Sequence, residues 1–279
     1  MTVAVITDSA ATLPPELTSR LAITVVPIRL LVGDQSYRDG DIAQETLLAA
    51  TKEATTAGPT PADFVAAIEE HPTAEGVVIA TLSYQLGAST FLAARTASNL
   101  VEIPTRVVDT ETAAGGEGLV VLKAARVAAA GGSIDEVEAA ARNAAAHVEL
   151  VATLPNLDHL VRSGHVPQAA SWAARWIGLQ PVITLRHGKV SPMTPVRSDR
   201  AALNKLYETW RRSKPDLSAQ LHIAALHSMA EADAKRLLRR VADEWKPRSS
   251  FVGTFGSPML LHTGPGVVGL SWLWENESP

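Results

Sequence analysis

Three times in its first 115 residues this chain runs from a short apolar stretch into a polar tip and then into a helical segment. Val3-Ala4-Val5-Ile6 ends at Thr7-Asp8-Ser9, and Pro14-Pro15 opens a helix that closes near Arg20. Gly76-Val77-Val78-Ile79-Ala80 runs into Thr81-Leu82-Ser83, and a helix follows to about Asn99. Thr105-Arg106-Val107-Val108 ends at Asp109-Thr110, with Gly115-Gly116 leading into a long helix. Strands that read as unbroken apolar runs are buried on both faces, which in α/β proteins means a parallel sheet covered by helices. The polar tips then gather on one rim, where such sheets bind ligands. Asp8 and Ser9 stand on that rim, though either could equally cap the helix or close the loop. Ser83 adds a hydroxyl where a helix start favours an anion.

Between the first two units, residues 24–32 with Pro27 read as an edge strand, residues 35–38 as its return, and residues 42–55 as a helix. The loop at residues 55–61 holds Thr55, Thr56 and Thr60 and leads into a helix at 62–70, for which Thr60-Pro61 is also a helix start in its own right. Beyond residues 147–153, read as another strand, the texture changes. Short helices alternate with a hairpin turning at His187-Gly188 and with strands at 221–226 and 249–253. The expected division is therefore a parallel α/β domain at 1–155 and a mixed α+β domain at 156–279.

Near the C-terminus, Gly264, Gly266 and Gly269 match the spacing of a dinucleotide-binding loop. That loop works only between a strand and a helix with a second strand to follow, and too few residues remain here. The segment reads instead as a β-hairpin, Met259-Leu260-Leu261 pairing with Val267-Val268, whose turn displays His262 and Thr263. A tight hairpin with a solvated histidine is the plain alternative.

Composition excludes several chemistries. The chain has no cysteine, hence no disulfide, thiolate metal site or cysteine nucleophile. A net charge of -4 offers no general attraction for nucleic acid. The start shows no secretory pattern and no apolar run approaches the length of a membrane span, so the expected location is the cytoplasm. There is no nucleophile elbow, no Walker loop and no metal-ligand spacing. Asp8, Ser9, Thr60, Ser83, Asp109, Arg162 and His262 are mostly hydroxyl donors with one or two cations, a set suited to holding an oxyanion.

In this order and spacing the motifs resemble the DegV family of bacterial fatty-acid-binding proteins. The resemblance runs through Val5 to Ser9, Thr56 to Phe64, Gly76 to Ser83 with Gly87, Val108 to Thr110, Leu157 to Gly164, Gln180-Pro181-Val182 with Gly188, and His262 to Gly266. It implies a long-chain fatty acid buried between two domains, with no cofactor. Ser83, Thr56 or Thr60, His262 and Thr263 would hold the carboxylate, while Asp8, Ser9 and Arg162 would form the rim or a partner-facing surface. It further implies an ATP-binding fatty acid kinase subunit as partner, with transient membrane contact, and a carrier that is itself no enzyme. The chain departs from the pattern at Leu86-Gly87-Ala88, where the family has serine, glycine and threonine. It departs again at Ser163 and His165, in place of a glycine and an arginine, and at Ala113 and Ala114, in place of a serine. Trp172, Trp176, Ile177 and Leu179 are the expected lining of the acyl tail, or else ordinary core. Burying about 16 carbons at roughly 0.8 kcal/mol per methylene is worth on the order of 12 kcal/mol before immobilisation costs. Alternative readings are a lipid hydrolase or acyltransferase using Ser83 or Ser9 with His262, and a lipid sensor or transporter without a kinase.

Overall fold

The computed structural model describes residues 2–50, 53–215 and 219–276. Strand β1 (Val3–Asp8) ends in a 3₁₀ turn, and α1 (Pro15–Arg20) leads to β2 (Ile23–Val26). An inserted unit follows, made of β3 (Arg29–Val32), β4 (Gln35–Arg38), α2 (Gln44–Ala49) and β5 (Ala54–Ala57). The chain then alternates through α3 (Pro61–Glu69), β6 (Gly76–Thr81), α4 (Tyr84–Ser98), β7 (Thr105–Asp109), α5 (Ala114–Ala129) and α6 (Ile134–His147). Next come β8 (Glu149–Thr153), α7 (Asp158–Ser163), α8 (Ala169–Arg175), β9 (Val182–Arg186) and β10 (Lys189–Pro192). The chain closes with α9 (Asp199–Arg212), β11 (Ala219–His227), α10 (Glu231–Glu244), β12 (Ser249–Thr254), α11 (Ser257–Thr263) and β13 (Val268–Asn276).

Among the described residues the strands form three sheets. One is parallel throughout, in the order β2-β1-β6-β7, as the three apolar runs require. The second, in the order β10-β9-β8-β13-β11-β12, is antiparallel except for β11 with β12. The third is the small inserted sheet β4-β3-β5. Strand β8 pairs with both β9 and β13, so the second sheet already begins at Glu149.

Helix α5 lies between the two large sheets, packing on β1 and β6 on one side and on β11 and β13 on the other. It is buried from Ala114 to Leu122, a stretch that is apolar except for Glu117. Its glycines make the sandwich close enough. A Cβ on Gly115 would lie 2.5 Å from Leu226 Cδ2 and 2.8 Å from Ala224 Cβ, and one on Gly118 would lie 2.7 Å from the Ala11 carbonyl oxygen. Around this helix, Val5, Val78 and Val108 of the parallel sheet share one apolar core with Leu150, Leu226 and Leu273 of the mixed sheet. Helices α3 and α4 cover the outer face of the parallel sheet, and α9 and α10 that of the mixed sheet. No helix among the described residues is long and apolar enough to cross a membrane.

Two local expectations are corrected. Residues 257–263 form helix α11, not the first strand of a hairpin. A run of three apolar residues fits either period. Pro258 decides, because it has no N–H for a ladder and is at home in a first helical turn, while Gly264 at φ +78° ends the helix. Likewise Thr55 and Thr56 lie in strand β5, paired opposite Leu31 and Leu30, where helix and loop were expected. Their β-branched side chains suit a pleated surface better than a helix.

Candidate functional site

A cavity of about 180 Å³ opens where the tips of the parallel sheet face the mixed sheet. Its walls are apolar: Leu150, Ala152, Ile183 and Leu185 from the mixed sheet, Ala113 and Ala114 at the start of α5, and Leu82 and Leu86 beside β6. Phe255, Met259 and Val267 close the C-terminal side. Polar side chains line it from β5, α4, α7, the loop after α7 and α11: Thr56, Ser89, Thr90, Ser163, His165, His262 and Thr263.

The centre of the polar side is a pair. Thr56 Oγ1 and His262 Nε2 are 2.8 Å apart, brought together because α11 packs on β5. His165 meets the His262 ring edge to face, with centroids 4.5 Å apart and planes at 87°. Burial, and secondarily the nearby His165, push the His262 imidazole down to about 4, so it is neutral at ordinary pH. His262 Nδ1 is buried without a hydrogen-bond partner. His165 is exposed, so the polar side of the cavity reaches the surface. The hydroxyls of Ser163 and Thr263 donate to carbonyls of their own helices, Leu160 at 2.9 Å and Met259 at 2.8 Å.

Ser89 and Thr90 are site residues that sequence reasoning missed. Helix α4 breaks at Gly87, whose φ of -147° and ψ of 64° are non-helical. Beyond the break the two hydroxyls face the loop after β5, where a Cβ on Gly58 would lie 2.6 Å from Ser89 Oγ and 2.9 Å from Thr90 Oγ1. They supply hydroxyls close to where Leu86 and Ala88 lack them. A glycine within a helical pattern, followed by Ser-Thr, was the available signal.

Other expected site residues are placed elsewhere. Ser83 is buried and caps α4, its Oγ accepting from the Gln85 N–H at 3.2 Å, and the turn at Gly188 packs over it. It does not line the cavity. Thr60 caps α3 in a reciprocal pair with Asp63, which Arg29 also holds at 2.8 Å. Both hydroxyls answer the free N–H groups of a helix start, the stronger local demand. Asp8 accepts from the N–H groups of Ala10 and Leu82, tying two strand tips together, and burial raises its carboxyl to about 6. Ser9 Oγ accepts from the Ile28 N–H at 3.1 Å. Asp8 and Ser9 border a separate hollow with Asp39 and Thr254. Arg162 is exposed on α7, whose Leu160 and Ser163 do line the cavity.

The residues expected to line the tail do not border this cavity. Trp172 and Trp176 stack on each other 6.1 Å apart, Trp172 within the core. Trp176, Ile177 and Leu179 border a surface hollow with Pro155 and Arg197, and Ile177 is 86% exposed. Two tryptophans on adjacent helical turns meet each other whatever they enclose. For the hydrolase reading, Ser83, Ser9 and His262 each have a different partner, Gln85, Ile28 and Thr56, in place of a serine-to-histidine bond.

Fold and cavity thus define a class: α/β proteins with an apolar slot between two sheets and a polar side fed by hydroxyls and histidine. The model of the DegV family, described as an uncharacterised protein family, matches residues 2–275. The chain belongs to the DegV family. A DegV domain-containing protein of Streptomyces coelicolor is 32% identical over 275 residues, covering 96% of this chain and 97% of the relative. One of Mycobacterium bovis is 31% identical over 276 residues, covering 97% and 96%. Among solved structures, a DegV family protein from Thermus thermophilus, presented for its fatty acid binding, has a TM-score of 0.90 at 26% identity, covering 98% of this chain and 99% of that one. A Thermotoga maritima protein described as revealing a fatty acid binding function has a TM-score of 0.84 at 25% identity, with the same coverage.

Proposed function

We propose that this chain binds a long-chain fatty acid in the cavity between its sheets and presents the carboxyl group to a partner kinase subunit, which supplies ATP for acyl-phosphate formation. The observation that carries the reading is the cavity itself, whose apolar walls are interrupted on one side by Thr56 and His262 in hydrogen-bond contact. An acyl chain gains from every methylene removed from water, so the tail sets affinity and the hydroxyls and histidines set which end stays near the surface. The tail would lie along Ala152, Ile183 and Leu185, and the carboxyl by Thr56 and His262. Exposure of His165 at that side supports a head group within reach of a partner. The fatty acid binding of the solved relatives points the same way, and the role as a kinase's carrier rests on the family resemblance.

Mass spectrometry of a gentle organic extract of the purified protein tests the ligand; recovery of stoichiometric fatty acid is expected, and a lipid-free extract sinks the reading. The carrier role is tested by adding the loaded protein to an ATP-binding kinase partner. Acyl phosphate should form only when both are present.

A further inference from the structure

The cavity has a property that the fatty-acid reading leaves open. None of the described residues lining it is an aspartate, glutamate, lysine or arginine. An ionised carboxylate entering it would find no cation among the described lining residues. Two of the hydroxyls, those of Ser163 and Thr263, already donate to their own helix carbonyls and have no proton left for an anion. His262 shares its Nε2 with Thr56, keeps its buried Nδ1 without a hydrogen-bond partner, and meets the ring of His165.

None of the described charged residues on the elements around α11 lines the cavity. On β3, Arg29 is bound to Asp63 of α3. On α7, His159 Nδ1 is bonded to the Leu261 carbonyl, and Asp158 and Arg162 are exposed. Glu45 on α2 is exposed, and Asp39 accepts from the Ser257 N–H at the far end of α11. An isolated buried charge is far costlier than a neutral group that can hydrogen-bond, and a carboxyl in such a place keeps its proton.

We propose that the cavity takes the fatty acid in its protonated, uncharged form, so that binding near neutral pH draws one proton from solution. This deepens the fatty-acid reading and rests on it. A free carboxyl ionises at about pH 4 to 5. The bound one must then ionise at higher pH, and in the interval between the two values affinity falls about tenfold for each unit of rising pH. An alcohol of the same chain length carries no such dependence. The cost of a carboxylate here also has a local remedy: a cation at the exposed position of His165 would let the bound acid ionise.

The test uses tetradecanoic acid labelled with carbon-13 at its carboxyl, kept below its aggregation concentration, with tetradecanol as the neutral comparison. At pH 7 the bound carboxyl should resonate where the protonated acid does, and calorimetry in buffers of different ionisation enthalpy should count about one proton taken up per acid. Affinity for the acid should fall about tenfold from pH 6 to pH 7, and that for tetradecanol should stay level. In His165→Arg the proton uptake should vanish while the acid still binds. A carboxylate resonance at pH 7 with no proton uptake overturns the proposal and leaves fatty-acid binding intact. If no labelled acid enters the wild-type protein at any pH, the fatty-acid reading falls with it.

Discussion

Thr56 and His262 are 206 positions apart in the chain and 2.8 Å apart in the fold. Strand β5 carries the hydroxyl and α11 the imidazole, and the packing of helix on strand leaves little room for the two polar groups to face anything but each other and the cavity. Removing one partner therefore harms the other. Thr56→Val keeps the branched shape that β5 needs but leaves both ring nitrogens of His262 without a protein partner. Fatty-acid affinity should weaken by roughly fivefold to thirtyfold, equivalent to about 1–2 kcal/mol, as read from a fluorescent-lipid displacement titration. Unchanged affinity would place the head group elsewhere.

The tail path is tested by volume. Ala152 is buried on β8 and lines the cavity, so Ala152→Trp should fill space that the acyl chain needs. Lipid recovered with the purified protein should drop at least tenfold, with a stability cost of at most about 1–3 kcal/mol from overpacking. Ile177→Asp, on a surface outside the cavity, should leave lipid content unaltered. If Ile177→Asp empties the protein and Ala152→Trp does not, the tail runs under α8.

Close approach of α5 to the mixed sheet depends on Gly115. Gly115→Val puts a branched side chain where Leu226 Cδ2 already stands 2.5 Å from the Cβ position. The sheet and helix must separate, and thermal unfolding should show a loss of about 2–4 kcal/mol, above the usual range for a single overpacked methyl because two layers move. A variant that melts with the wild type would show that the layers have slack.

The buried carboxyls of Glu117 and Asp8 should favour the fold at acid pH, while the buried His262, pushed down to about 4, works the other way. Glu117 on α5 is fully buried, accepts a hydrogen bond from Thr7 Oγ1 at 3.1 Å, and is held well above the usual carboxyl range by burial and then by the charge of Asp8. Asp8 is raised to about 6, chiefly by burial. For both groups the folded state holds its proton to higher pH than the unfolded chain does. Each therefore makes folding more favourable at low pH, and the advantage is lost as pH rises from about 4, where the unfolded chain ionises, through the raised value of each group, about 6 for Asp8. Across that window the melting temperature of the wild type should fall relative to that of Glu117→Gln, which keeps the size of the side chain, removes its charge and leaves His262 as it is. Parallel curves for the two proteins from pH 4 to 6 would contradict this account.

Much of the architecture was legible in the residues because its causes are local. Val3 to Ile6 and Gly76 to Ala80 are apolar on both faces, and a covered parallel sheet accommodates such runs. The apolar, glycine-containing stretch after Ala113 could only be a buried helix. Thr56 and His262 were recognisable as polar groups beside turn formers. By itself the sequence thus determined the alternation of strands and helices, the parallel sheet and the kinds of group available for a ligand.

Only the tertiary structure decided which hydroxyls face the ligand space. Ser83 and Thr60 bond to helix starts, while Ser89 and Thr90, inside a stretch that reads as one helix, line the cavity past the break at Gly87. The tryptophans of α8 were equally ambiguous, since stacking on a neighbour and lining a slot require the same residues. Direction, more than residue type, separates these cases. It is set by long-range packing, as when α11 settles on β5 and brings an imidazole to a threonine from the other end of the chain.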